Sequence, residues 1–433
     1  MEPPLNFKYI HAADLHLDSP LRGLAAKSEA AAERVQTASR EALEAMIDLA
    51  IAEQCKLIVI AGDLFDGQWK DYRTGLYFAT QMARLKAAQV PVYIIQGNHD
   101  AENNFVARLE LSENVKLFSS KKPESFVLDS IKVAVHGQSF ATREVKENIA
   151  LRYPPPLANH FNIGVLHTAL EGHTGMHASY APCSTEQLKN HGYDYWALGH
   201  VHDYMLLHDT QNPADPHIVY SGVVQGRNIR ETGAKGVVLV TVEDGAIVAA
   251  EFKPLGTVVW HSCPISAEGL DTQEALLCAA IRSVEDAYQN TGKTSCAVRV
   301  TITGPTPARS SLLTNRTDFQ EQLETALAAI SEEGDIWLEK LVLNISEPAT
   351  VAEQQADDPT IAGGIASLVR QAAEGEEFDA AFRRIVDELR SRFPQTAADE
   401  GFLDSLVDET RLAARDLALA ILETSQTGNG EAE

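Results

Sequence analysis

The chain has 433 residues, 45% of them hydrophobic, and a formal net charge of −25. That length exceeds one ordinary domain and the apolar fraction supports a packed core, which excludes a disordered or fibrous chain and predicts two or three domains. No apolar run reaches the roughly 18 residues of a membrane span, the start lacks the basic and apolar regions of a secretory signal, and the five cysteines (Cys55, Cys183, Cys263, Cys278, Cys296) contain no C-x-x-C pair, so a cytoplasmic protein with reduced thiols and no membrane partner is expected.

The chain enters a strand by Phe7 and leaves it at Asp14-Leu-His16. Apolar spacing over Ala31 to Gln54 predicts an amphipathic helix. The aliphatic run Leu57-Ile-Val-Ile60 predicts a buried strand, followed at once by Gly62-Asp63-Leu-Phe-Asp66. A second amphipathic helix spans Tyr72 to Ala88, then a strand at Tyr93-Ile-Ile95 runs into Gly97-Asn98-His99-Asp100. Tyr153-Pro-Pro-Pro156 reads as a loop from its prolines, ahead of the strand that carries His167. Gly199-His200-Val-His202 follows, and strands around Gly236 to Val242 and Ala246 to Phe252 close a first region, residues 1–254. Its alternation of strands and helices predicts two facing β-sheets flanked by helices.

Five of these segments carry metal-type ligands: Asp14 and His16, Asp63 and Asp66, Asn98 and His99, His167, and His200 with His202. Carboxylate, imidazole and amide together suit Mn, Fe or Zn better than Mg or Ca, and no cysteine is needed. Four of the five follow a strand-like run. The carboxyl ends of strands line the crevice of an open α/β sheet, so residues distant in sequence can converge there, and glycine beside them lets the backbone turn sharply.

In this order the motifs D-x-H, G-D-x-x-D, G-N-H-D, H and G-H-x-H resemble the calcineurin-like metallophosphoesterases over roughly residues 8–203. The resemblance implies that Asp14, His16, Asp63 and His202 hold one divalent metal ion, that Asp63, Asn98, His167 and His200 hold a second, and that Asp63 bridges them, with Mn2+ the expected metal. Two ions about 3.5–4 Å apart can clamp a phosphodiester, lower the pKa of a shared water and stabilise both the attacking and leaving oxygens. His99 is left over as a non-ligand. The resemblance makes it the residue that protonates the leaving oxygen or stabilises transition-state charge, with Asp66 orienting it.

Other residues near these motifs have ordinary readings. His11 is expected at a strand end or behind a ligand, Asp100 as a loop cap, and Asp18 as a turn or cap that shapes the first loop. His173 and His177 sit in a glycine-rich loop after His167, and His173 is a candidate for contact with substrate. His136 and His160 read as core or surface residues.

After the first region the order is strand (Val258 to His261), helix (Glu268 to Gln289), strand (Ala297 to Thr303), helix (Thr317 to Ile330) and strand (Trp337 to Asn344). This predicts a small α/β cap domain over residues 257–347. Pro348 to Asp358 is polar and reads as a linker. Residues 359–424 have helical spacing, with Phe382, Ile385, Val386 and Leu389 on one face, and are expected to be C-terminal helices that bind a partner. Thr424 to Glu433 has the composition of a disordered end.

The acidic balance argues against a chain that holds nucleic acid alone, since phosphate binding is normally driven by Lys and Arg. Residues 351–433 hold 18 acidic and 7 basic residues, so part of the excess lies at the end of the chain, and bound metals would reverse the field in the crevice. A phosphoesterase core with an α/β cap and acidic helices resembles the bacterial SbcD-type DNA exonucleases. The opening His11-Ala-Ala-Asp-Leu-His-Leu-Asp-Ser-Pro20 and the segment Ser221-Gly-Val-Val-Gln-Gly-Arg227 with Glu231 and Lys235-Gly236 are similar to the YhaO-like branch. That resemblance implies an exonuclease of DNA repair acting with a coiled-coil ATPase of the SbcC or YhaN kind, with a homodimer also open, and makes Arg227 a candidate for binding phosphate. The alternative is a small-molecule or protein phosphoesterase of the same superfamily, which would use the same metals.

Overall fold

The computed structural model describes residues 5–19, 29–66, 72–102, 111–171, 180–208, 212, 215–292, 294–331 and 335–348, with Ala380 and Arg384 alone beyond them. His173, His177 and the expected C-terminal helices lie outside the described residues. The chain divides into two compact units, one of Met1–His261 with Thr291–Ala297 and the other of Ser262–Asn290 with the rest.

The first unit holds two six-stranded sheets. In the first, β1 (Phe7–Ala12), β2 (Leu57–Ala61), β3 (Val92–Ile95) and β4 (Val115–Leu117) run parallel, and β11 (Gly236–Glu243) with β12 (Ala246–Pro254) adds an antiparallel edge beside β1. In the second, the order is β5 (Glu124–Leu128), β6 (Val133–Gly137), β7 (Phe161–His167), β8 (Tyr195–Gly199), β10 (His217–Tyr220) and β9 (Met205–Leu207). Its four inner strands are parallel and its two edge strands antiparallel.

Burial on both faces explains why the central strands are unbroken apolar runs. Along β2, Leu57, Val59 and Ala61 point into a core shared with Ile163 and Val165 of β7 and Tyr195 and Ala197 of β8. Ile58 and Ile60 point the other way, against two helices. These are α1 (Glu29–Ala52) and α2 (Tyr72–Ala87), which present Leu43, Met46, Ile47 and Ala50, and Phe78, Met82 and Leu85, at helical spacing. On the far face of the second sheet, Trp196 and Leu198 pack on Leu188 of α3 (Thr185–His191), whose Ser184 and Gln187 form a capping box. Every predicted element of this unit is present, with bounds moved by a few residues.

A third sheet, of three strands, has the order β13 (Val258–Ser266), β14 (Ser295–Pro305) and β15 (Ile336–Ser346), and α4 (Gln273–Asn290), α5 (Arg309–Thr314) and α6 (Arg316–Ile330) lie in the same stretch of chain. The helix expected from Glu268 begins five residues later, because Thr272 Oγ1 accepts the Ala275 N–H and caps it there. The short α5 was not anticipated. Six residues are too few to display a helical period. Among the described residues, no helix is long and apolar enough to cross a membrane.

Candidate metal centre and active site

The ligand-type residues all lie at the carboxyl ends of parallel strands: Asp14 and His16 after β1, Asp63 after β2, Asn98 after β3, His167 as the last residue of β7, and His200 and His202 after β8. The loops after β1 and β2 are stitched together by backbone bonds from Asp14 N–H to Gly62 O (2.9 Å), His16 N–H to Asp63 O (3.0 Å) and Leu17 N–H to Leu64 O (2.9 Å). Asp14, His16, Asp63 and His200 all have left-handed backbones, with φ of 51°, 42°, 53° and 98°. A side-chain-bearing residue in that region costs roughly 1–2 kcal/mol. The surrounding bonds hold that strain where it aims four polar side chains inward. Gly97 is required by close approach, since a Cβ there would fall on the Asp63 carboxylate and 2.8 Å from His167 Cε1.

The hydrogen bonds determine which ring nitrogens face the centre. His167 Nδ1 lies 2.9 Å from the Ala61 carbonyl oxygen, which only accepts, so Nδ1 carries the proton. Its Nε2 lone pair then faces Asn98 Oδ1 at 2.9 Å and Asp63 Oδ2 at 3.5 Å. In the same way His202 Nδ1 donates to Glu231 Oε1 at 2.8 Å, and its Nε2 faces Asp14 Oδ1 at 3.8 Å. His16 is fully buried with neither ring nitrogen hydrogen-bonded, and its Nε2 is 3.9 Å from Asp63 Oδ2. His200 stacks edge-on to His167 with ring centroids 5.2 Å apart, and its backbone N–H donates to the Asp14 carboxylate at 3.0 Å.

The centre is thus a buried set of carboxylate, amide and imidazole acceptors turned toward one another, where among the described residues the backbone N–H groups of His200 and His99 reach Asp14 and Asp63 but no hydrogen-bond partner reaches either His16 nitrogen. Burial lowers the pKa of His16 and His167, so both rings are neutral, while burial and the charge of Asp63 raise Asp14 well above the ordinary carboxylate range. Lone pairs and carboxylates converge so closely only around cations. Single atoms of Asp14, His16 and His202, and likewise of Asp14, Asp63 and His167, come within 4.8 Å of one another. The donor set fits divalent metal ions.

His99 is at the mouth, its side chain 32% exposed, with Nδ1 2.8 Å from Asp66 Oδ1. Asp66 also accepts from Ser19 Oγ at 2.8 Å and lies 3.8 Å from Arg227 Nη1. Burial opposes ionisation of Asp66, but the hydrogen bond from His99 and the charges of His99 and Arg227 hold it well below its ordinary range. Burial likewise disfavours the His99 imidazolium. The Asp66 hydrogen bond and the Asp63 charge outweigh it and raise His99 above its ordinary value.

Residues 7–204 match the calcineurin-like phosphoesterase family, and residues 260–346 match the middle domain of metallophosphoesterase YhaO. The metallophosphoesterase YhaO of Bacillus subtilis (strain 168) is 36% identical over 304 residues, covering 69% of this chain and 72% of that protein. The chain belongs to the calcineurin-like metallophosphoesterases. The DNA double-strand break repair protein Mre11 of Methanopyrus kandleri is a more distant relative of this phosphoesterase, 27% identical over 213 residues and 44% of each chain. Membership makes the protein a hydrolase of phosphoester bonds, and the family uses a dinuclear divalent metal centre.

His11 is buried on β1 with Nδ1 2.9 Å from Tyr195 Oη and Nε2 3.2 Å from Leu198 O, behind the centre. Asp100 accepts the N–H groups of Leu64, Phe65 and Gly97, joining the loops after β2 and β3, and burial with the Asp63 charge pushes it up to about 7. Asp18 ties the first loop to both helices through Arg40, at 2.6 and 2.8 Å, and Thr74. His136 is a core residue between Ser125 and Asn162, and His160 bonds within its own loop. Arg227 grips Glu231 with Nη2 at 2.9 Å and its own backbone N–H at 2.6 Å, while its Nη1 lies 3.8 Å from Asp66 Oδ2. Sequence reasoning missed Glu231 as the partner of His202. Its only trace was an acid four residues after Arg227.

Proposed function

We propose that this phosphoesterase is a two-metal phosphodiesterase that cleaves DNA, working as a repair exonuclease with a coiled-coil ATPase of the SbcC or YhaN kind. One observation carries the chemistry: a histidine paired with a carboxylate stands at the mouth of a buried cluster of acceptors. The DNA substrate is supported by likeness to a protein named for DNA double-strand break repair. The acidic charge of −25 favours a partner that supplies the basic surface.

Asp14, His16, Asp63 and His202 hold one metal and Asp63, Asn98, His167 and His200 the other, with Mn2+ the metal of choice. When bound, the pair supplies Lewis acidity, which acidifies water and neutralises charge on the phosphate. Asp63 fixes the His99 backbone by accepting its N–H at 2.9 Å. Asp66 accepts a hydrogen bond from Nδ1–H of the same ring, which leaves Nε2–H to meet the substrate. As the P–O bond breaks, His99 gives its Nε2 proton to the leaving oxygen. Arg227 Nη1, beside Asp66, and His173 are the candidates for contact with the substrate. Residues 1–254 form the catalytic domain, 257–347 the cap and 359–424 the partner-binding region.

Digestion of end-labelled single- and double-stranded DNA with Mn2+, Mg2+ or no metal tests this reading. Metal-dependent release of nucleotides from one end is expected. Hydrolysis of a nitrophenyl phosphodiester or phosphomonoester with DNA left intact, with and without the ATPase, would reject the nuclease and favour a small-molecule or protein phosphoesterase.

A further inference from the structure

We propose that Glu231 is a positioning residue of the metal centre, setting the tautomer and ring angle of His202 and, through Arg227, tying that histidine to the Asp66–His99 pair. The inference rests on the reading of His202 as a metal ligand.

Glu231 is 5% exposed, and its Oε1 lies 2.8 Å from His202 Nδ1. A carboxylate here can only accept, so His202 must be protonated at Nδ1 and offer its Nε2 lone pair toward Asp14. The carboxylate is itself held. Arg227 donates its backbone N–H to Oε2 at 2.6 Å and Nη2 to Oε1 at 2.9 Å, while its Nη1 lies 3.8 Å from Asp66 Oδ2. The local backbone is shaped for this, with Glu231 N–H closing a turn onto Asn228 O at 2.9 Å. Gly226 admits no side chain, because a Cβ there would lie 2.8 Å from the Glu231 carbonyl oxygen.

The same segment holds the backbone of His202 as well as its ring. The His202 carbonyl accepts Val223 N–H at 3.1 Å and Lys235 Nζ at 3.3 Å, and the buried Lys235 also pairs with the exposed Asp203 at 2.7 Å. One stretch after β10 therefore fixes both the carbonyl and the imidazole of His202. Such a carboxylate behind a ligating histidine raises ligand basicity, and its loss lowers metal affinity by about 10- to 100-fold in general.

The test uses the full chain and binding rather than turnover. Calorimetric titration with Mn2+ is expected to resolve two binding events in the wild type, one of them lost in His202→Ala. Glu231→Met, nearly isosteric but without an acceptor, should weaken that same event by about 10- to 100-fold and leave the other unchanged. Long-range proton–nitrogen spectra of the metal-free wild type should show His202 protonated at Nδ1. Normal titration of Glu231→Met beside a defective His202→Ala overturns the role of Glu231 alone, whereas full binding of two ions by His202→Ala overturns the ligand reading beneath it. Should Glu231→Met fail to fold, the wild-type spectrum decides, since an Nε2-protonated His202 is incompatible with the proposal.

Discussion

Asp66 Oδ1 lies 2.8 Å from Nδ1 of His99, three residues beyond Asp63 along one loop and one strand away from the next. The pair reaches solvent, although Asp66 Oδ1 also lies 3.8 Å from Nδ1 of the buried His16, and His99 is the member read as holding no metal. Replacing His99 by alanine should therefore leave two ions per chain while lowering kcat by about 100-fold or more. Asp66→Asn should cost less, about 10-fold, because the ring remains but loses its charge partner. Metal analysis beside steady-state rates checks this. A parallel fall in metal and rate for His99→Ala would remove it from the proton-donor role.

Asp63 is the residue on which both halves of the centre turn, with Oδ2 3.5 Å from His167 and 3.9 Å from His16. Asp63→Ala is expected to abolish phosphodiesterase activity and to reduce bound metal below two ions per chain. Retention of two ions in that variant would contradict the bridging assignment.

Removing metal should destabilise the catalytic unit, because ionised Asp14 is disfavoured by burial and by the Asp63 charge, and both ring nitrogens of His16 stay without a partner. A ligand at 100 times its Kd stabilises a fold by about 2.7 kcal/mol. Melting after treatment with chelator should shift down by several degrees, and added Mn2+ should restore it. An unchanged melting temperature would mean that the buried acceptors need no cation.

Burial holds His11 neutral, its pKa pushed down from 6.5 to about 3. The unfolded chain binds a proton on this residue below pH 6.5 and the native chain does not until near 3, so stability is full above 6.5 and falls as the pH drops through that window. His11→Phe should be less stable at neutral pH, having lost the Tyr195 and Leu198 bonds, yet show a shallower decline between pH 6.5 and 4. Urea unfolding of metal-free protein at several pH values measures the slope. Equal slopes would mean that His11 protonates without disturbing the fold.

Truncation near residue 355 removes the acidic segment with helical apolar spacing. A folded, metal-binding hydrolase of small diesters is expected to remain, with loss of binding to the ATPase and of ATP-stimulated work on duplex DNA. Co-purification of the truncated chain with the ATPase at full affinity would place the contact elsewhere, and a change from dimer to monomer would assign the segment to self-association.

Much of the catalytic unit was legible locally. Runs such as Leu57–Ala61 are apolar at every position because both faces of the strand are covered, and helix spacing at Leu43, Met46, Ile47 and Ala50 marks the face that covers one of them. The ligand-type residues could be picked out because four of their five segments follow a strand-like run, and a parallel sheet gathers its carboxyl ends. Contacts without a local period stayed hidden. Glu231 meets His202 across 29 residues, and Asp100 reaches the N–H groups of Leu64 and Phe65 across 36 and 35. The bond from the Arg227 guanidinium to Glu231, four residues on in a loop, was equally invisible. Periodicity reports which face of an element is buried, because burial repeats with the backbone geometry. The partner of a single polar side chain depends on strand order and loop path, which have no signature in neighbouring residues.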